Sequence, residues 1–145
     1  MRNTKIILIG LTIFCLSFAL RAATLRRVGG TWDEKFYYVA GHSYIQNIIN
    51  RDWSEKAWAL NTEHPPLIKY FYGLVSFGKY NDQQPDFVAG RYASAVVGSL
   101  AAVIVFLIGL VFLPFIYSAG AALIFSFIPL TVGLQSAYGF DSPTV

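Results

Sequence analysis

Residues 92–140 read YASAVVGSLAAVIVFLIGLVFLPFIYSAGAALIFSFIPLTVGLQSAYGF and contain no charged side chain. A helix that crosses a bilayer needs roughly 20 apolar residues, so a stretch of this length accommodates two spans joined by a very short turn. Pro114 marks that turn, because a proline inside one overlong helix would cost a backbone hydrogen bond and clash with the preceding turn. The expected spans are about 89–113 and 116–137, with Pro129 kinking the second of them. Within the first, Gly90, Ser94, Gly98 and Ala102 recur every four residues, the small-xxx-small pattern that lets membrane helices approach closely.

Working back towards the N-terminus, another apolar run covers about 6–23 and is interrupted only by Arg21. Arg2 and Lys5 precede it, as they would in a secretory signal. Arg21, however, stands where small residues should prepare cleavage, and no A-x-A site follows, so an uncleaved anchor is expected. The fold class is therefore all-α integral membrane, with three transmembrane helices and one long hydrophilic segment, about 26–88, between the first two.

Composition agrees. Hydrophobic residues make up 55% of the 145 and charged residues 13%, whereas soluble domains carry about 25% charged residues. Eleven basic and eight acidic residues give a net charge of +3 without a basic run, so nucleic acid is not an expected partner and the lipid bilayer is. The single cysteine, Cys15, excludes an internal disulfide, and it belongs to no zinc-ligand spacing.

The segment 26–88 is too long for a turn and too aromatic for a disordered linker, so it should fold at the membrane surface. Tyr37, Ala40, Gly41, Tyr44, Ile45, Ile48 and Ile49 follow the i, i+3, i+4, i+7 pattern of an amphipathic helix. A second helix is expected from Pro66, with Leu67, Tyr70, Phe71 and Leu74 on its apolar face; proline suits a first helical turn. Basic residues flank both ends of the first span and slightly favour an outside N-terminus. Whatever the orientation, three spans put segment 26–88 and the tail after the third span on one side. Asp33, Glu34, Glu63, His64 and Asp141 can then face one aqueous compartment.

Three places could carry chemistry. Thr31-Trp32-Asp33-Glu34 matches a T-x-x-E capping box, with Asp33 favoured in the first turn by the helix dipole. The same carboxylates could instead serve as a general base at the membrane surface. Adjacent helical residues diverge by about 100°, so Asp33 would point to the reaction centre and Glu34 to the cap or a neighbouring group. In Glu63-His64-Pro65-Pro66-Leu67-Ile68-Lys69, two prolines fix an extended entry. There His64 and Lys69 could hold a phosphate, although a Pro-Pro surface turn explains the same residues. Asp141 is the first charge after the long neutral stretch and is expected at the membrane interface. His42 and His64 lack ligand spacing; no cofactor is demanded, and participation of a divalent metal stays open.

Taken in order, these residues resemble the N-terminal portion of the GT-C membrane glycosyltransferases, in particular the dolichyl-phosphate-mannose protein mannosyltransferases and their relatives that modify lipid A. The resemblance rests on Asp33-Glu34 after the first span, on His64-Pro65-Pro66-Leu67-x-Lys69, on Arg91 followed by small residues at the opening of the second span, and on Asp141 after the third. It implies an inside N-terminus and transfer of a mannose-like sugar from a polyprenyl-phosphate donor to a protein or lipid acceptor on the outer or lumenal face. Asp33, Glu34 and Asp141 would be the catalytic carboxylates, and His64, Lys69 and Arg91 would bind the donor phosphate. The basic residue that many members carry before the last aspartate is absent, with Gln135 nearest. Members of that family are far longer, so the chain is expected to be a fragment, inert by itself, of a multi-pass protein of a prokaryotic cell membrane. The rival expectation is a small three-span interaction or assembly protein whose capping box, Pro-Pro turn and small-residue face are structural.

Overall fold

The computed structural model describes residues 2–25, 32–62, 66–81, 83 and 85–128. Among these residues every regular element is helical and there is no strand. Helix α1 spans Arg2–Thr24, α2 Trp32–Asn50, α3 Glu55–Trp58, α4 Pro66–Ser76, α5 Val88–Phe112 and α6 Phe115–Phe127, with a single 3₁₀ turn, Phe77–Lys79, following α4. Two helices, α1 and α5, are long and apolar enough to cross a membrane. With 25 residues, α5 is about 38 Å long at 1.5 Å per residue, against a hydrocarbon core of about 30 Å.

The hairpin falls where the proline indicated. Leu113 is extended, Pro114 caps α6, and the Pro114 carbonyl accepts the N–H groups of Tyr117 (3.0 Å) and Ser118 (3.1 Å). The expected third span is only partly described. Helix α6 is described over Phe115–Phe127, 13 residues, about 20 Å, and the expected kink at Pro129 lies outside the described residues. Ile128 has already turned to φ −60°, ψ 119°, the extended backbone that a following proline imposes. Residues 129–137 lie outside the described set.

Helices α1, α5 and α6 pack on one another around Ile13, Ala102, Phe106 and Ala122. The small-residue row serves as expected: Gly90, Ser94, Gly98 and Ala102 are all buried, together with Ala95 and Ser99. Small side chains let the helix backbones approach, and close packing is what holds helices together where the solvent is itself apolar. The buried hydroxyls are satisfied locally, Ser99 donating to Ala95 O (2.6 Å) and Ser126 to Ala122 O (2.8 Å).

Helices α2 and α4 form a second pair, joined to the first through α5. Two glycines set their spacing. A Cβ added at Gly41 would lie 2.6 Å from Lys69 O, and one added at Gly73 would collide with the Gly41 carbonyl. Tyr37, Ala40, Gly41 and Tyr44 are buried as the periodicity required, but Ile48 and Ile49 are exposed because α2 outruns its shorter partner. Tyr38, absent from the expected face, is fully buried; its hydroxyl donates to Lys79 O (3.2 Å) and accepts from Asn81 N–H (2.8 Å). Helix α4 departs further: its inward residues are Lys69, Tyr72, Gly73 and Ser76, while Leu67, Phe71 and Leu74 are exposed. The apolar periodicity was there, but it faces away from the rest of the chain. At the end of α2, Arg51 takes φ +56°, with Arg51 N–H bonded to Ile48 O and Asp52 N–H to Asn47 O, a left-handed closure that satisfies the last carbonyls.

Gly73→Ala should therefore destabilise the protein by about 1–3 kcal/mol or more, since backbone rather than a movable side chain blocks the new methyl. Gly120→Ala, with nothing within 4 Å of the added Cβ, should be neutral or mildly stabilising. Thermal unfolding in detergent compares the two.

Candidate functional site

At one end of the two long apolar helices, α1 and α5, three chain segments converge on a single guanidinium. Arg91 sits in the first turn of α5, where the row of small residues leaves room beside the helix. Its Nε donates to Glu34 Oε1 and its Nη2 to Glu34 Oε2, both at 2.7 Å, and its Nη1 donates to the Leu25 carbonyl at 2.8 Å. The side chains are 9% and 0% exposed. A planar guanidinium matches a carboxylate through two parallel hydrogen bonds, which makes this the strong form of ion pair. It ties the end of α1, the start of α2 and the start of α5 together, with Arg91 57 residues from Glu34 and 66 from Leu25.

Glu34 thus has Arg91 as a tertiary partner, the neighbouring group that the sequence offered it beside the cap; Thr31, the other half of the T-x-x-E pattern, lies outside the described residues. The reason is geometric, because the third residue of α2 faces the mouth of α5. Arg91, expected at a donor phosphate, has its guanidinium engaged by Glu34 and Leu25. Nearby, Arg21 is buried and donates through Nη1 to Ser17 O (3.1 Å) and to Ser17 Oγ.

Lys69 is also buried. Its Nζ donates to Asn61 O (2.6 Å) and Asn61 Oδ1 (2.7 Å) and stands 5.9 Å from the centre of the Tyr37 ring. Asn61 is held in turn by Tyr44, whose hydroxyl accepts from Asn61 N–H (3.2 Å). Tyr37 lies one helical turn beyond Glu34, so Lys69 and the Glu34–Arg91 pair are served by the same stripe of α2. Of the other expected site residues, Asp33 is the second residue of α2 but its side chain is outside the described set, as are His64 and Asp141. Among the described residues, no group of three or more His, Cys, Asp or Glu could hold a metal ion.

Several contacts of this region carried no sequence signal. Tyr72 and Ser94 join α4 to α5 by a short hydroxyl–hydroxyl hydrogen bond. His42 stacks on Tyr80 (centroids 3.6 Å, 10°) and on Phe77 (4.9 Å, 22°). Its Nδ1 is buried with no hydrogen-bond partner among the described residues, and burial holds its pKa below the ordinary 6.5. Asp52, at the exposed tip after α2, is held below the usual carboxylate range by hydrogen bonds from the Ser54 hydroxyl and N–H.

Removing one member of the buried pair strands the other. Arg91→Met or Glu34→Leu alone should cost about 3–5 kcal/mol, whereas the double substitution should recover much of that loss; a double-mutant cycle by thermal unfolding measures the coupling. For His42, the folded state resists a proton that the unfolded chain accepts. Stability should therefore be level above about pH 6.5 and fall as the pH drops below it. His42→Phe should flatten that fall relative to the parent in unfolding curves between pH 5 and 8.

No protein-family model matches the chain, and no match was found among curated proteins or solved structures.

Proposed function

We propose that this chain is the N-terminal part of a GT-C-type membrane glycosyltransferase. In this reading it moves a mannose-like sugar from a polyprenyl-phosphate donor to a protein or lipid acceptor at the outer face of a prokaryotic cell membrane, as a multi-pass protein. The observation that carries the reading is the meeting of Glu34 with Arg91. Two of the four sequence elements behind the resemblance touch at one end of the two long apolar helices, and Lys69, from a third element, is held on α4 beside Tyr37 of α2, the helix that carries Glu34.

The chemistry assigned to these residues balances as follows. Asp33, as general base, removes the proton of an acceptor hydroxyl while that oxygen attacks the anomeric carbon. The bond from that carbon to the donor phosphate oxygen breaks, its electron pair leaves with the polyprenyl phosphate, and configuration at the carbon inverts. His64 and Lys69 receive the phosphate charge, and Asp141 supplies a second carboxylate to the acceptor side. Arg91 and Glu34 hold positioning roles, fixing the first turn of α2 and with it the backbone of Asp33.

One observation favours a second reading, a membrane interaction or assembly protein without catalysis: Glu34, Lys69 and Arg91 are all buried and bonded within the chain, as structural residues are. The two readings separate in one assay. In the complete protein, reconstituted with a polyprenyl-phosphate sugar and acceptor, Asp33→Asn should lower transfer by about 10²–10⁴-fold, the range of a lost general base, with expression and Tm unchanged. Transfer at the parent rate would remove Asp33 from the mechanism, and a complete protein without transfer would support the second reading.

A further inference from the structure

Helix α4 is inverted with respect to water. Its only charged residue, Lys69, is buried against α2, whereas Leu67, Leu74, Val75 and Phe71 are 73%, 66%, 40% and 38% exposed. These four fall at i, i+4, i+7 and i+8, forming one continuous outer stripe opposite the inward Lys69, Tyr72, Gly73 and Ser76. A helix so arranged in an aqueous loop would turn its apolar side chains to solvent and its cation to the interior.

Depth explains the inversion. Tyr72 is hydrogen-bonded to Ser94, and Ser94 lies six residues into α5, about 9 Å along its axis from Val88. Exposed Asp86 just precedes that helix. Helix α4 therefore packs beside the first turns of a membrane-length helix, and those same turns expose Tyr92, Val97 and Leu100. Amphipathic helices at membrane surfaces bury their apolar faces about 5–10 Å into the headgroup–acyl boundary, and a contact about 9 Å along α5 from its first residue falls in that range when the boundary lies at the start of α5. We infer that α4 is immersed in the bilayer interface, with Leu67, Phe71, Leu74 and Val75 in lipid, continuous with the exposed apolar side of α5. The segment 26–88 is then anchored to the membrane by α4 as well as by the helices at its two ends, and the inward cation Lys69 is held at a constant depth.

The test measures depth residue by residue. In a Cys15→Ser background, Leu67→Cys, Phe71→Cys, Leu74→Cys and Val75→Cys variants of the full chain carry a nitroxide label in phosphatidylcholine–phosphatidylglycerol vesicles. Collisions with oxygen, which enters lipid, are compared with collisions with a water-soluble nickel chelate. The expected result is oxygen accessibility exceeding nickel accessibility at the four sites, as at native Cys15, which is exposed midway along α1; a label at Asp52→Cys should show the reverse. Nickel accessibility exceeding oxygen on α4 would overturn the inference in favour of water. Low accessibility to both would overturn it in favour of a protein partner, whether another segment or a second copy. Four sites keep the answer independent of the folding of any one variant.

Discussion

The Glu34–Arg91 ion pair is the constraint on which the remaining arrangement depends. Taking a guanidinium and a carboxylate out of water costs several kcal/mol per ion, recovered only when geometry is close to ideal and the remaining polar groups are satisfied. Here two parallel hydrogen bonds use both carboxylate oxygens, and the Leu25 carbonyl takes a third N–H. That carbonyl belongs to the last turn of α1, where the helix pattern leaves acceptors without intrahelical donors. One side chain thus closes α1, orients the start of α2 and defines the mouth of α5. An apolar pair of similar volume can pack as tightly, but it would not specify which helix turns meet.

Away from this junction, cohesion comes from fit. In hydrocarbon, lipid chains compete for apolar surface as well as any leucine does, so helices associate through close backbone approach and internal hydrogen bonds. Gly109 faces Ser118 across the hairpin, and Ser99 of α5 and Ser126 of α6 bond to carbonyls of their own helices. Between α2 and α4 the same device operates outside the spanning helices, with Gly41 and Gly73 in backbone contact. Only there does the absence of a Cβ decide whether the two helices can cross at all.

The buried cation of α4 shows how this packing shapes a site. With Gly41 against Gly73, the α2–α4 seam is too narrow for large side chains at its centre, and Lys69 runs along it to reach Asn61. Its charge is answered by a carbonyl, an amide oxygen and the Tyr37 ring. This ties the start of α4 to the stretch that follows α3, and the ordering costs little because Pro66 already suits the first turn of a helix. The aromatic stack of His42 with Tyr80 and Phe77 fastens the other end of the same unit.

Much of the framework was legible in the sequence. The uncharged run that begins at residue 92 called for apolar helices of membrane-spanning length, of which α5 is one, Pro114 required a hairpin, and the four-residue spacing of Gly90, Ser94, Gly98 and Ala102 identified the buried face of α5. These are local quantities, since composition, periodicity and proline stereochemistry act within a few residues. The site was legible only as a set of residue types. That Glu34 would pair with Arg91, that Lys69 would turn inward, and that the leucines of α4 would turn outward depended on which surfaces lay alongside. A helix's apolar stripe reports which face avoids water, but in a membrane protein that face can meet lipid as readily as protein. The sequence by itself determined the two long apolar helices, the turn at Pro114 and the small-residue face of α5. Only the tertiary structure decided which charges pair and which faces are inside, because those outcomes follow from depth and neighbours that no local pattern encodes.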